Sequence, residues 1–363
     1  MKSINKSRSL AALLAFANAL TPIQSASHAL GHGEISLIPE FPGARARAGR
    51  SVSAANSVEL NFANESRDTE FHYSVPLTTF TTGWKDPENI QELLAFIAPD
   101  VPADRRFEFK NGTNAEYFLT EADDIRATGA DFKRIEYTGQ SQLGKTLNKG
   151  LRIRVDRDEV VGNNWRESYT QRLLQRLWRN ELVRTLVLLD AAATNVAKTW
   201  TKGNTSTSNP DGDVRNMLKA SRDQSGLWPN HVLYGALAWL SRVNVYETIN
   251  TPNAGRRADF TPEELATKLM VGAVEIAKAQ YQSGAAAKTD IVGSAVYAYN
   301  HVEGATLDDP SNFKRVMTPT EGGGPFRVYT HEGAKFTDIM VEHYSTIINP
   351  TSLGVEKITV TEA

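Results

Sequence analysis

The chain has 363 residues, 40 of them basic and 42 acidic, which gives a net charge of -2 at neutral pH. A chain of this size buries a sizeable core, as one large domain or two to three smaller ones, and its balanced charge sets up no global field to draw it to nucleic acid or membrane. The absence of cysteine excludes disulfides, thiolate nucleophiles and thiolate metal sites together.

At the N-terminus, Lys2, Lys6 and Arg8 precede an apolar run over residues 10–20, and Ser27-His28-Ala29 supplies a small-x-small pattern. The stretch has the form of a secretory signal, or of an amphipathic arm helix with Leu10, Leu13, Leu14, Ala17 and Leu20 on one face. No other apolar run approaches the ~18 residues that span a bilayer, so a soluble chain is expected. Residues 30–100 read as an extended arm: Gly31, Gly33, Pro39, Pro42 and Gly43 recur, Arg45, Arg47 and Arg50 form a basic patch, and apolar residues are sparse. Within the arm, Asp86-Pro87-Glu88 predicts a docking helix over 87–97, with Pro87 at its first position and Ile90, Leu93, Leu94 and Ile97 on one face.

Between residues 105 and 155 the pattern changes to strands. Phe107 and Phe109 alternate with charges, Tyr117 and Phe118 follow, and Leu151, Ile153 and Val155 alternate with Arg152 and Arg154. The two ends read as the limbs of one long hairpin, with Gly112, Gly129, Gly139, Gly144 and Gly150 between them. Such a ribbon is marginal alone in water, so it is expected to rest on its own chain or on a neighbour.

Residues 163–195 form the longest helical pattern and contain neither Gly nor Pro. Asn164, with Glu167 three residues on, nearly matches a capping box. Trp165, Tyr169, Leu173, Leu177, Leu174, Trp178, Leu182, Leu186 and Leu189 recur at helical spacing, which leaves Arg166, Arg172, Arg176, Arg179 and Arg184 for the other face. Some thirty residues at 1.5 Å rise make a rod of about 45 Å, a spine for the rest of the chain.

A polar break at 203–209 and the turn Pro210-Asp211-Gly212 lead into a second unit over 213–299. A helix (Val214, Met217, Leu218), a short buried strand near 229–235, a helix over 236–243, a helix starting at Thr261-Pro262-Glu263-Glu264 and a strand over 291–299 predict a mixed α/β unit. The last segment is strand-rich over 326–330, 336–348 and 355–360, with Pro350 and Gly354 marking a turn. These late strands are the expected cover for the spine's apolar stripe. No repeat of fixed period is visible.

Gly139, Gly144, Lys145 and Thr146 match the spacing of a P-loop, and residues 186–190, ending in Asp190, imitate the acidic strand that supports magnesium in such enzymes. The context opposes a nucleotide site: residues 132–137 are mostly polar, and residues 147–150 lead into a strand rather than the helix whose amides would hold phosphates. A hairpin tip is the better reading. His28 and His32 are four apart, but Gly31 and Gly33 oppose a helix there and no third ligand is apparent. His72, His231, His301, His331 and His343 are scattered, and no nucleophile elbow or zinc-protease helix appears. Asp123-Asp124, Glu263-Glu264 and Asp308-Asp309 read as solvated carboxylates. The spine arginines are interleaved with Glu167 and Glu181, which favours a solvated or partner-facing surface over a phosphate track. No catalytic, cofactor-binding or metal-ligating residue is expected.

The order of arm, ribbon, spine helix, α/β unit and returning strands resembles the major capsid proteins of tailed double-stranded DNA bacteriophages, with their Hong Kong 97-type fold. The text that carries the resemblance is Ala98-Pro99-Asp100-Val101-Pro102, Arg179-Asn180-Glu181-Leu182, Asn209-Pro210-Asp211-Gly212-Asp213-Val214-Arg215, Trp228-Pro229-Asn230-His231-Val232-Leu233-Tyr234-Gly235 and Trp239, within residues 97–363. The resemblance implies an α+β fold divided into an N-terminal arm (1–100), an extended β-hairpin loop (101–155), a peripheral domain on the spine helix (156–211, rejoined by 311–363) and an axial domain (212–310). It implies hexamers and pentamers of this one chain in an icosahedral or prolate phage head, assembled in the host cytoplasm. The shell would enclose double-stranded DNA without sequence-specific binding, with scaffold, portal and decoration proteins as further partners. Some relatives join subunits through lysine–asparagine bonds, but neither Lys145 nor Lys149 matches that chemistry and no crosslink is expected.

Overall fold

The computed structural model describes residues 71–111 and 140–363, apart from positions 161, 204–206, 250–253, 283–286, 303 and 322, together with a few positions between 125 and 132. The signal or arm segment before residue 71, His28 and His32, Tyr117 and Phe118, Asp123-Asp124 and Gly139 lie outside the described residues.

The first third is built from β1 (His72–Tyr73), α1 (Val75–Gly83), α2 (Ile90–Ile97), β2 (Asp100–Pro102), β3 (Arg106–Asn111), β4 (Gln140–Lys145) and β5 (Leu147–Asp156). The middle holds α3 (Trp165–Ala192), β6 (Thr194–Trp200), α4 (Pro210–Ser225), β7 (His231–Gly235), α5 (Ala236–Thr248), α6 (Ala254–Ala258) and α7 (Pro262–Leu269). The rest is strands: β8 (Ala273–Ala277), β9 (Gln280–Gln282), β10 (Lys288–Asp290), β11 (Ala295–Tyr299), β12 (Lys314–Thr318), β13 (Arg327–Glu332), β14 (Phe336–Ile348) and β15 (Glu356–Glu362).

The spine is α3, 28 residues long and therefore roughly 42 Å. Asn164 sits at its N-cap, but with φ -99° and ψ 20° its side chain makes no capping hydrogen bond, so the expected capping box does not form. A capping side chain needs extended backbone to reach the next amides. The helix also stops short of Asn195, because Thr194 begins a strand that pairs in parallel with β15. Thr194, Val196 and Thr199 are β-branched and suit that ladder. Leu173, Leu174, Leu177, Trp178, Leu182, Leu186 and Leu189 are buried as the periodicity predicts.

Six strands form the sheet beneath the spine. Its axis is β14, paired antiparallel with β5 from Phe336↔Asp156 to Ser345↔Leu147. On its other side β14 pairs first with β13 and then with β12, which carry β1 and β2 outward. Alternation sends Ile339 and Val341 into the core under α3, while Met340, Glu342 and Tyr344 take the opposite face. The β5 pairing corrects the expected hairpin. The limb containing Leu151, Ile153 and Val155 does not pair with Phe107 and Phe109; β3 pairs instead with β4. Long β14 offers β5 ten register pairs and a buried face, which no local partner matches.

The second sheet has the order β6-β15-β11-β7-β8. Leu233, Tyr297 and Tyr299 face the spine core, whereas Val232, Tyr234, Val296 and Ala298 face a second core under α4, α5 and α7. Both faces are covered, which is why β7 and β11 read as continuous apolar runs rather than alternating ones. The late strands thus divide: β13 and β14 belong to the sheet under the spine, and β15 joins the second sheet beside β6.

Motif residues hold these joints. Asn209 caps α4 by accepting from the Gly212 amide at 3.2 Å, Asp211 accepts from Arg242 Nε at 2.7 Å, and Asp213 accepts from Trp200 Nε1 at 3.0 Å. The helix α4 therefore begins at Pro210, inside the stretch read as a turn. A Cβ at Gly235 would lie 1.9 Å from the Gly293 carbonyl oxygen, so only glycine permits that approach. The predicted helix at Asp86-Pro87-Glu88 begins only at Ile90, because Asn89 is left-handed (φ 54°). Asp86 still serves its start, accepting from the Ile90 amide at 3.3 Å. At α7 Thr261 caps the helix start as expected, and Glu264 completes a capping box with it.

Candidate functional site

The spine's apolar stripe is interrupted at Glu181, whose side chain is 1% exposed. Helical spacing from Leu174, Leu177 and Trp178 turns this carboxylate inward, onto the half of β14 where His343 and Ser345 replace aliphatic residues. Glu181 Oε1 accepts from Lys149 Nζ at 2.8 Å and from an Arg184 guanidinium nitrogen at 2.6 Å, and Oε2 accepts from Ser345 Oγ at 3.0 Å. His343 Nε2 stands 3.6 Å from Oε1. One carboxylate therefore ties α3 to both β5 and β14.

The electrostatics follow from burial and partners. Burial works to raise the Glu181 carboxyl, but His343 and Lys149 more than offset it and hold the group well below the usual carboxylate range. Burial pulls the Lys149 ammonium down, against the pull of Glu181. Burial likewise lowers His343, which favours the neutral ring. Close by, Arg315 is 1% exposed, donates to both Asp100 oxygens at 2.8 and 3.1 Å and lies 4.4 Å from the Trp178 ring centre. It joins β12, β2 and α3. Further along the sheet, Asp338 accepts from Arg154 Nε at 3.0 Å and from Arg152, and these partners, working against burial, hold its carboxyl down to about 2.

The second structural feature is the ribbon of β3 and β4. It meets the body through Phe107 and Phe109, which cluster with Val316 and Ile348, while Leu143 on the same ribbon is 89% exposed. Here the described P-loop residues receive other roles. A Cβ at Gly144 would come within 2.4 Å of the Phe107 ring, so the glycine seats an aromatic. Lys145 ends β4, and its carbonyl accepts from Thr346 Oγ at 2.8 Å. Thr146 is buried and shares a 2.8 Å hydrogen bond with Thr318. No helix follows, so no helix amides face the lysine, in keeping with the sequence context; the expected hairpin tip is corrected, because Lys145 pairs with Arg106 at the foot of the ribbon and Thr146 is buried between β4 and β5. Asp190 lies in α3 and accepts from Tyr297 Oη at 2.8 Å.

The histidines go to different places. His231 stacks near His301 with ring centres 4.4 Å apart, and burial, then the charge of His301, pulls it down to about 4. His331 lies 3.7 Å from Asp338. Among the described residues no group of histidines and carboxylates is placed to hold a metal ion. The sequence had set Glu181 among the outward charges of the spine; its register with Leu174 and Trp178 was the signal that it points inward.

No protein-family model and no characterised protein matches the sequence. Solved structures do. The chain is similar to a phage-related protein from Bordetella bronchiseptica RB50, with a TM-score of 0.59 at 17% identity over 80% of this chain and 97% of that one. It also aligns with the putative capsid protein of a prophage of E. coli CFT073, at TM-score 0.45 and 8% identity over 81% of this chain and all (100%) of that one. A virus-like particle from Pyrococcus furiosus aligns at TM-score 0.42 and 10% identity, over 78% and 95% of the two chains. At 17% identity the first likeness shows the fold alone: the chain shares the α+β fold of that phage-related protein.

Proposed function

We propose that this chain is a structural shell subunit, the major capsid protein of a tailed-phage head, and not an enzyme. The observation that carries the reading is the ribbon. A two-stranded element is anchored to a well-packed body by two phenylalanines and exposes Leu143 on its other face, at the register position between them. Such an element is marginal by itself and gains stability by burying surface against another chain. Identical chains related by closed symmetry can repeat that contact around a shell.

In this reading residues 1–100 form the arm, 101–155 the extended loop, 156–211 with 311–363 the peripheral domain, and 212–310 the axial domain. Hexamers and pentamers enclose double-stranded DNA without reading its sequence, after assembly in the host cytoplasm, with scaffold, portal and decoration proteins as partners. Fold similarity to a phage-related protein supports the assignment, as do the buried ties of Glu181 and Arg315, which make the body a rigid building block. Electron microscopy of the purified protein tests it: closed particles of uniform size are expected, and nucleotide hydrolysis without particles would replace it with the enzyme reading.

A further inference from the structure

Among the described elements the chain crosses between its two sheets three times: from α3 into β6, from β11 to β12 over residues 300–313, and from β14 to β15 over residues 349–355. The crossings are tied to one another. Asn312 is fully buried; its Oδ1 accepts from the Asn300 amide at 2.7 Å, and its Nδ2 donates to the Thr351 and Leu353 carbonyls at 2.9 and 3.0 Å. The Thr194 amide, where α3 gives way to β6, donates to the Val355 carbonyl at 3.0 Å.

Two residues past Asn312, Lys314 fills a cage of oxygens with the chain's own cation. Its side chain is 0% exposed, and its Nζ donates to the Leu307 and Asp309 carbonyls, both at 2.9 Å, and lies 3.2 Å from Asp309 Oδ1. An ammonium has three N–H bonds, and three oxygens stand around this one. Asp308-Asp309 read as solvated carboxylates in the sequence, but the Asp309 side chain is only 11% exposed. Its two oxygens accept from the Thr306 and Ser311 amides, which wraps the loop around the ammonium. Ser311 Oγ in turn accepts from the Val302 amide at 3.0 Å.

The two sheets also share apolar contacts: Tyr297 and Tyr299 of β11 belong to the same core as Ile339 and Val341 of β14. Such contact is strong but non-directional, so it tolerates a range of angles. A buried ammonium and a buried amide tolerate far less, because each bond lost leaves a desolvated polar group.

We infer that Lys314, Asp309 and Asn312 form the joint that fixes the angle between the two sheets, and that this angle sets the curvature of the shell. The inference rests on the shell reading and adds to it the residues that decide particle size. Copies related by closed symmetry close at one diameter only if each presents its surfaces at one angle.

Lys219 on α4, over the second sheet, and Lys335 between β13 and β14 of the first are exposed, and the chain has no native cysteine. Lys219→Cys with Lys335→Cys therefore takes a pair of spin labels. Pulsed electron paramagnetic resonance on the labelled subunit is expected to give one narrow distance distribution. Lys314→Ala should widen it at least twofold and, in chains without labels, widen the spread of particle diameters at least twofold. Propylammonium, which replaces the deleted atoms, should restore both; tetramethylammonium, a cation without N–H bonds, should restore neither. Unchanged distances, unchanged diameters, or equal rescue by both cations would overturn the inference and leave the shell reading intact. If Lys314→Ala does not fold, hydrogen exchange in the unsubstituted chain decides: the Thr306, Ser311 and Asn312 amides are expected to exchange as slowly as those of β11, and exchange at free-loop rates would overturn the joint. If the unsubstituted protein makes no particles, the shell reading falls and the curvature claim with it, while the label distances still test the joint.

Discussion

The spine helix and the ribbon are near neighbours in the chain and opposite in physical character. Along α3, Leu173, Leu174, Leu177, Leu182 and Leu189 are buried against strands drawn from the whole chain, and Glu181 adds charged ties to β5 and β14. The ribbon reaches the body through Phe107 and Phe109 and a hydrogen bond from Thr346 to the Lys145 carbonyl, and leaves Leu143 in solvent. Each buried aliphatic side chain contributes about 1.5–3 kcal/mol, so the spine is stable within one subunit whereas the ribbon depends on what it meets. Stability and assembly are therefore separable, and substitutions should divide by region.

The largest effect is expected at Leu177→Pro. A proline in a helix interior costs about 3 kcal/mol or more, and losing a buried leucine adds about 2 or more. We expect no folded subunit by circular dichroism and no particles. Next comes Glu181→Ala, which leaves Lys149 buried without its counter-charge; chemical denaturation should show a loss of about 3–5 kcal/mol. The double variant Glu181→Leu with Lys149→Met should recover most of that, because apolar side chains of similar volume remove both desolvation costs.

Acid should act next. His231 titrates at about 4 in the folded chain and at about 6.5 when unfolded. Within that window the unfolded state binds more protons, so stability is complete above about pH 6.5 and falls by about 2–3 kcal/mol as the pH drops toward 4. Lowered His343 adds in the same direction. Urea titrations at pH 7 and pH 5 should show the slope, and His231→Gln should flatten it. Asp338 extends the loss at lower pH, since its stabilising contribution is present above about 4 and disappears as the pH falls through its folded value of about 2.

The ribbon gives the smallest stability effects. Leu143→Ser should change stability by no more than about 0.5 kcal/mol, as exposed substitutions do, yet lower particle yield on gradients. Lys145→Ala should leave stability within the same margin and change no nucleotide binding, as equilibrium dialysis with ATP would show. If Leu143→Ser unfolded the subunit, or Glu181→Ala left it intact, the contrast between the two regions would be lost.

How far the sequence reveals this arrangement depends on the range of the interaction. The spine's stripe is legible because helical period is local, and the start of α7 at Thr261 and Pro262 for the same reason. Leu151, Ile153 and Val155 are legible as a strand, but their partner on β14 lies nearly two hundred residues away, and the apparent hairpin joined them to the wrong strand. Glu181 is hidden for a different reason. A charged residue inside an apolar pattern is taken as outward unless its partners are known, and Lys149, His343 and Ser345 are brought to it only by the tertiary fold. The P-loop pattern shows the converse: a match in spacing alone, in which Gly144 accommodates Phe107 and Thr146 bonds Thr318.

The central claim is that a body rigid by itself carries surfaces that are satisfied only in a shell. Electron microscopy of the purified chain across salt, pH and concentration addresses it most directly. The account predicts closed particles built from rings of this one subunit. A folded monomer that stays monomeric under every assembly condition would contradict it.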